Sequence, residues 1–348
     1  MLVPIREIPV PGKTGHFSLS KDGERFAFCT PVGMCRLFDR DLTVINEIDV
    51  GIGVKWIQLD DTGGRVLVGR VTGIDVYPLT GSDGGAPRVA IPVGGTSSLG
   101  CVFAMNGDLL VVASWDRTPS LSAWDLQSFR LIDEVPLPAR GGAGYMLTPH
   151  PEGEVMAAVA YSGQSEEWMF WARFAHGRLR VYEQPEVFGV TLPCFHPTGR
   201  EWVSHHERLG LCRMAFPSAE LLGSVRPEEV FPTEDVFSYE MHFFRDDRFM
   251  VWQADLALYE FDLATLRPTR TILDGIDGMK FGEGGFFSGM SFRLAGGRLL
   301  TTDKLYDKGI RESVRTLRLW DASAFCGEIT PTDSSRPYTR KLVDACCL

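Results

Sequence analysis

The chain has 348 residues, 44% of them hydrophobic and 23% charged, and a formal net charge of −10. That composition is ordinary for a folded soluble chain. The acidic balance argues against nucleic acid or an anionic membrane as partner, since both call for a basic surface, and no run reaches the ~18 apolar residues of a membrane span.

The first segment, "MLVPIREIPVPGKTG", lacks the basic region and apolar run of a secretory signal. A cytoplasmic location is expected. Residues 3–10 read as an outer β-strand with no sheet of its own ahead of it. They are expected to pair with the last repeat and close it. The segment "FCGEITPT" at 325–332 competes for the same place.

Two signals then recur along the chain. The first is a tight turn between apolar runs, at Gly23, Gly63, Gly107, Gly153, Gly199, Asp247 and Gly297, stepping by 40 to 50 residues. Gly, Asp and Asn supply the backbone conformations that such hairpins need. In this turn His196 takes the slot of His150, and of Lys21 or Asp22 in the first copy. The second signal is an aromatic residue before a short turn: "CRLFDRD" at 35–41, "IDVYPLT" at 74–80, "LSAWDLQ" at 121–127, "CRMAFPS" at 212–218, "LYEFDLA" at 258–264 and "LRLWDAS" at 317–323. The fourth copy is distorted, with "MFWARFAHG" at 169–177 in that place. Apolar and polar residues alternate between the signals, which is strand periodicity.

Each copy thus holds four strands, and copies start near His16, Val54, Cys101, Tyr145, Val190, Ser238 and Phe286. The period and the aromatic-Asp ending, as in Trp124-Asp125, Trp320-Asp321, Phe38-Asp39 and Phe261-Asp262, resemble the WD40 repeat family over almost the whole chain. The Gly-His-centred hydrogen-bond network typical of that family is not expected here. The expected fold is all-β, a single seven-bladed β-propeller of four-stranded antiparallel blades over residues 1–332, with a C-terminal tail at 333–348. Closure supplies the reason, because only neighbouring sheets can cover both apolar faces of each sheet.

In "EEWMFWARF" (166–174), alternation sets Trp168, Phe170 and Ala172 on one face and Met169, Trp171 and Arg173 on the other. Burial between two neighbouring blades accounts for both faces. The eight cysteines show no CxxC spacing and read as buried thiols. Cys346 and Cys347, near the end of the tail, do not form a prenylation box. No phosphate loop, GxSxG, HExxH or EF-hand pattern is present, so no cofactor and no metal is expected.

The resemblance implies that the ends of the second strands gather on one rim around a central channel. That rim would carry Trp115, Asp116, Arg117, Tyr161, His205, His206, Glu207, Arg208, Trp252, Gln253, Asp255, Asp303 and Lys304. A long second-to-third connection at 303–314 would add Tyr306 and Arg311. Exposed Trp, Tyr and Arg anchor protein interfaces. The first reading is therefore a non-catalytic scaffold that binds a protein or peptide. The second is a propeller enzyme or a small-molecule or metal binder, with Asp116, His205 or His206, Glu207, Asp255 and Asp303 as ligands or general acid and base. Adjacent strand residues face opposite ways, so His205 and His206 cannot share one ion within a strand.

Overall fold

The computed structural model describes residues 4–10, 16–20, 22–30, 32–60, 62–79, 89–92, 100–104, 109–114, 119–137, 144–151, 155–161, 167–188, 193–206, 208–226, 229, 241–245, 247–252, 258–273, 291–295, 297–306 and 313–323. The architecture is all-β, a propeller-like arrangement of four-stranded antiparallel sheets. Strand β1 (Pro4–Val10) comes first and belongs to the last sheet. The next sheet comprises β2 (His16–Leu19), β3 (Arg25–Cys29), β4 (Met34–Asp39) and β5 (Val44–Asp49). Then come β6 (Trp56–Leu59), β7 (Arg65–Arg70), β8 (Gly73–Pro78) and β9 (Val89–Pro92), followed by β10 (Gly100–Ala104), β11 (Leu109–Ser114), β12 (Ser120–Asp125) and β13 (Arg130–Pro136). The sheet after that holds β14 (Gly144–Pro149), β15 (Val155–Tyr161), β16 (Glu167–Ala175) and β17 (Arg178–Phe188). It is followed by β18 (Cys194–Phe195), β19 (Glu201–His206), β20 (Gly210–Ala215) and β21 (Leu221–Val225). Next are β22 (Met241–Arg245), β23 (Arg248–Trp252), β24 (Leu258–Asp262) and β25 (Arg267–Leu273). The last sheet has β26 (Ser291–Ala295), β27 (Arg298–Tyr306) and β28 (Ser313–Asp321), with β1 as its outer strand.

Strand β1 runs antiparallel to β28, with Glu7 opposite Arg318 and Val10 opposite Arg315. Glu7 Oε1 accepts a hydrogen bond from Arg318 Nε at 2.9 Å. The competing segment 325–332 lies outside the described residues.

Apolar cores fill the spaces between successive sheets. Leu37, Ile48, Ile57 and Val66 join the β2–β5 sheet to the β6–β9 sheet. Ile74 and Val76 pack with Leu110 and Val112 in the next space. The two faces of β16 then diverge. Phe170 and Ala172 pack against Val111 and Ala123 on one side, while Met169 and Trp171 pack against Phe195 and Trp202 on the other. Strand alternation is the cause. Val203 continues the succession toward Phe249 and Phe261. Finally, Leu300, Leu317 and Leu319 meet Phe26, Phe28 and Phe38 of the first sheet.

The recurring turns have a common design. Gly23, Gly63, Gly199 and Gly297 all take positive φ, between 64° and 73°. The amides of Gly23, Gly63 and Gly199 donate to the carbonyls of Ser20, Asp60 and His196 at 2.8–2.9 Å. His196 therefore shares its slot with Ser20 and Asp60, which corrects the alignment to Lys21 or Asp22. Each side chain in that slot satisfies its own turn. Arg25 N donates to Ser20 Oγ, Gly64 N to Asp60 Oδ1 and Thr198 N to His196 Nδ1.

The aromatic-Asp signal has an equally local cause. Asp39 Oδ1 accepts from the amides of Asp41 and Thr43, Asp125 Oδ1 from Gln127 and Ser128, Asp262 Oδ1 from Thr265, and Asp321 Oδ1 from Ser323. Each carboxylate caps the turn from third to fourth strand. The distorted copy needs no such cap. Its turn is only His176-Gly177, both with positive φ (52° and 72°), and Ala175 pairs directly with Arg178.

Other expectations are corrected in detail. First strands begin at Trp56, Gly100, Gly144, Cys194, Met241 and Ser291, up to five residues from their expected starts. Of the expected starts, Val190, Ser238 and Phe286 lie outside the described residues. His16 opens β2 and follows Gly15, so the chain does contain a Gly-His dipeptide. Within the long connection expected at 303–314, residues 303–306 and 313–314 are strand, and 307–312 lie outside the described residues. Asp303, Lys304 and Tyr306 belong to β27, opposite Thr316, Arg315 and Ser313. No helix among the described residues is long and apolar enough to cross a membrane.

Candidate functional site

In every sheet the second strand ends on the rim that also carries the connection from one sheet to the next. Tyr161 is the last residue of β15, paired with Gly144 and Glu167. Trp252 ends β23 opposite Leu258. His205 and His206 end β19 opposite Leu211 and Gly210, and Arg208 is exposed in the turn that follows. The pairing of β27 with β28 runs beyond β26, whose partners stop at Thr302, and beyond β1, whose partners stop at Arg315. Among the described residues, Leu305 and Tyr306 thus pair only with Val314 and Ser313, as a two-stranded ribbon at this rim. Trp115, Asp116, Arg117, Glu207, Gln253, Asp255 and Arg311 lie outside the described residues.

The two adjacent histidines differ in role. His206 Nδ1 accepts the amides of Arg208 and Leu209 at 3.0 and 3.2 Å, so it caps the turn. Its Nδ1 is consequently the unprotonated nitrogen. His205 is half-buried, and burial chiefly, with the neighbouring His206 ring a lesser cause, holds it below the usual histidine range. Among the described residues no group of three or more His, Cys, Asp or Glu is placed to hold a metal ion.

The same rim carries a feature built from other residues. Val32 is 72% exposed, Ile52 79% and Val71 52%. Val32 sits in the turn between β3 and β4, Ile52 in the connection from β5 to β6, and Val71 in the turn between β7 and β8. Their backbones are tied together. Val50 N donates to Gly33 O at 2.8 Å, and a Cβ on Gly33 would lie 2.1 Å from the Gly51 carbonyl oxygen. Only glycine, here at φ +89°, allows that crossing. Arg70, the residue before Val71, donates to the carbonyls of Ile52 (2.8 Å) and Val50, and pairs with Asp75. Three exposed β-branched residues therefore sit on backbone segments that are tied to one another at this rim. Sequence reasoning missed them because it looked for aromatic and charged groups. The available signal was "PVG" and "GIG", with branched apolar residues at turn positions that usually hold polar ones.

Other exposed apolar residues lie elsewhere. Val44 and Ile45, Leu131 and Ile132, and Leu221 and Leu222 occupy the first half of outer strands on separate sheets. On the opposite rim, a cleft of about 310 Å³ is lined by Gly64, Arg65, Val76, Pro78, Leu126, Gln127 and Phe129. Arg65 already bonds Asp60 and the Leu126 carbonyl there.

No protein-family profile matches the chain, and no curated protein sequence does either.

Proposed function

We propose that the sheets form a single seven-bladed, WD40-like propeller, a non-catalytic scaffold that binds a protein or peptide on the rim of the second-to-third strand turns. The contiguity of Val32, Ile52 and Val71 on that rim carries this reading. Single exposed apolar residues are common on any protein. Three on adjacent turns, fixed by Gly33, Gly51 and Arg70, present a rigid apolar surface that loses little entropy on binding. In this reading the surface extends along the same rim to Tyr161, Trp252 and Tyr306, which end strands there, and to His205 and Arg208.

The test is cross-linking and quantitative capture from the source cell with Val32→Asp and Ile52→Asp, beside Val44→Asp and Leu131→Asp as outer-strand controls. Burying an aliphatic side chain is worth about 1.5–3 kcal/mol, so each rim substitution should weaken capture of a stoichiometric partner at least about tenfold. The controls should leave capture unchanged. Capture that survives both rim substitutions, or fails only with the outer-strand pair, would place the binding surface elsewhere.

A further inference from the structure

We propose that Cys29 and Cys35 are a redox modification site, joined reversibly by a disulfide between strands β3 and β4. The two residues are direct partners in the ladder. The hairpin that joins them fixes the kind of pair. Thr30 N donates to Met34 O, and Gly33 N to Thr30 O, so the position at 30 and 34 is the hydrogen-bonded one. Cys29 and Cys35, one step further along the ladder, form a non-hydrogen-bonded pair. In such pairs the Cα atoms stand about 4.5 Å apart with the side chains closest. That falls within the roughly 4.4–6.8 Å range that disulfides span. Both side chains enter one core, with Ala27, Leu37 and Ile48. The bond therefore needs no change of strand register.

The surroundings favour reaction at one sulfur. The Cys29 thiol is held below its usual range, chiefly by a hydrogen bond from Cys35 and, further off, by the Arg70 guanidinium, against the opposing effect of burial. The same hydrogen bond, with burial, pushes Cys35 up. We assign Cys29, the last residue of its strand beside the turn, as the nucleophile and Cys35 as the resolving thiol. The pair is buried, but Cys29 ends its strand three residues before exposed Val32. Local opening of the turn at 30–33 would admit a molecule the size of hydrogen peroxide.

The oxidant is hydrogen peroxide. Cys29 thiolate attacks one peroxide oxygen, the O–O bond breaks, and hydroxide leaves with Cys29 as sulfenic acid. Cys35 gives up its proton and its sulfur displaces the hydroxyl of the sulfenic acid, forming the S–S bond and water. In sum, two thiols and one peroxide give one disulfide and two waters. Cys194 and Cys212 are internal controls. Burial raises each to about 12, and they enter different cores on opposite faces of their sheet, so they have no such partner in each other.

Trypsin releases both cysteines in one peptide, residues 26–36. The whole folded chain is treated with hydrogen peroxide, then denatured, alkylated and digested. The 26–36 peptide should lose two hydrogens and resist alkylation until it is reduced with dithiothreitol. It should react at least about tenfold faster than Cys194 or Cys212. In Cys35→Ser, Cys29 should persist as a sulfenic acid that dimedone captures. The proposal falls if both cysteines stay open to alkylation at peroxide doses that already oxidise methionines. It also falls if Cys194 and Cys212 react as fast, or if Cys29 goes on to sulfinic acid with no disulfide.

Discussion

His150 links two neighbouring sheets through their turns, and a double-mutant cycle measures that link. Its ring is 2% exposed, and Nε2 donates to the Gly199 carbonyl at 2.9 Å. The ring also lies 4.9 Å from Phe195 and 4.8 Å from Phe216, centroid to centroid. His150→Ala orphans a buried carbonyl, which costs about 1–3 kcal/mol, and forfeits ring contacts worth roughly 1–2 kcal/mol. We expect a loss of about 3 kcal/mol. Gly199→Ala acts on the same contact from the other side. A Cβ there would lie 2.3 Å from His150 Cε1, and φ is +67°. The backbone strain alone is worth about 1–2 kcal/mol, and the displaced imidazole adds to it. With His150 already removed, only the strain should remain. The double variant should therefore be more stable than the sum of the single losses implies, by about 2 kcal/mol. Urea unfolding followed by far-ultraviolet circular dichroism gives all four stabilities. Losses that add to within about 0.5 kcal/mol would refute the clamp, because additivity is the mark of uncoupled sites.

Two further predictions concern closure and acid. Removing residues 1–14 takes away β1 and should lower the melting temperature by several degrees, at about 2–4 °C per kcal/mol for a chain of this size or somewhat smaller; an unchanged melt would remove β1 from the stabilising structure. Glu7→Gln alone should cost less than about 1 kcal/mol, since its carboxylate is half-exposed. Asp125 is held below the usual carboxylate range by the amides of Ser128 and Gln127, and Asp321 by the hydroxyl and amide of Ser323. Asp262 is also lowered; burial opposes this, but bonds from Thr265 and Arg248 outweigh it. These groups contribute stability that is present above their unfolded pKa, about 3.9, and lost as pH falls through their lower folded values. Changing all three to Asn should flatten the acid limb of the stability profile; an acid limb unchanged in slope would show that the caps do not titrate with folding.

The repeat was legible in the sequence because its turns demand special chemistry. Gly23, Gly63 and Gly199 need positive φ, and Asp39, Asp125 and Asp262 must cap amides, so both signals survive where the rest of each copy has diverged. "VPIREIPVPG" read as a strand without a sheet, and β1 lies against β28. Strand beginnings were less legible, since a strand such as Cys194–Phe195 is too short to show a period. The ribbon at Leu305 and Tyr306 read as loop because the "DKGIRES" that follows is charged and shows no apolar alternation. The rim cluster was hidden for a different reason. Val32, Ile52 and Val71 are far apart in sequence, and only the crossing at Gly33 and Gly51 brings their turns together.

The place of β1 also sets the order in which the molecule can be completed. The bond between Glu7 and Arg318 joins residues 311 positions apart. Closing a loop of that length costs about 5 kcal/mol of chain entropy, so the contact forms only after the intervening sheets have stacked and shortened the span. On a ribosome adding about 5–20 residues per second, β1 waits roughly tens of seconds for its partner. Through that interval it is a strand with both edges open, the kind that pairs with other chains. Its own sequence guards against that, since "PIREIPV" places two prolines and two charges among seven residues. The latch that finishes the ring is thus made first, used last, and kept harmless in between.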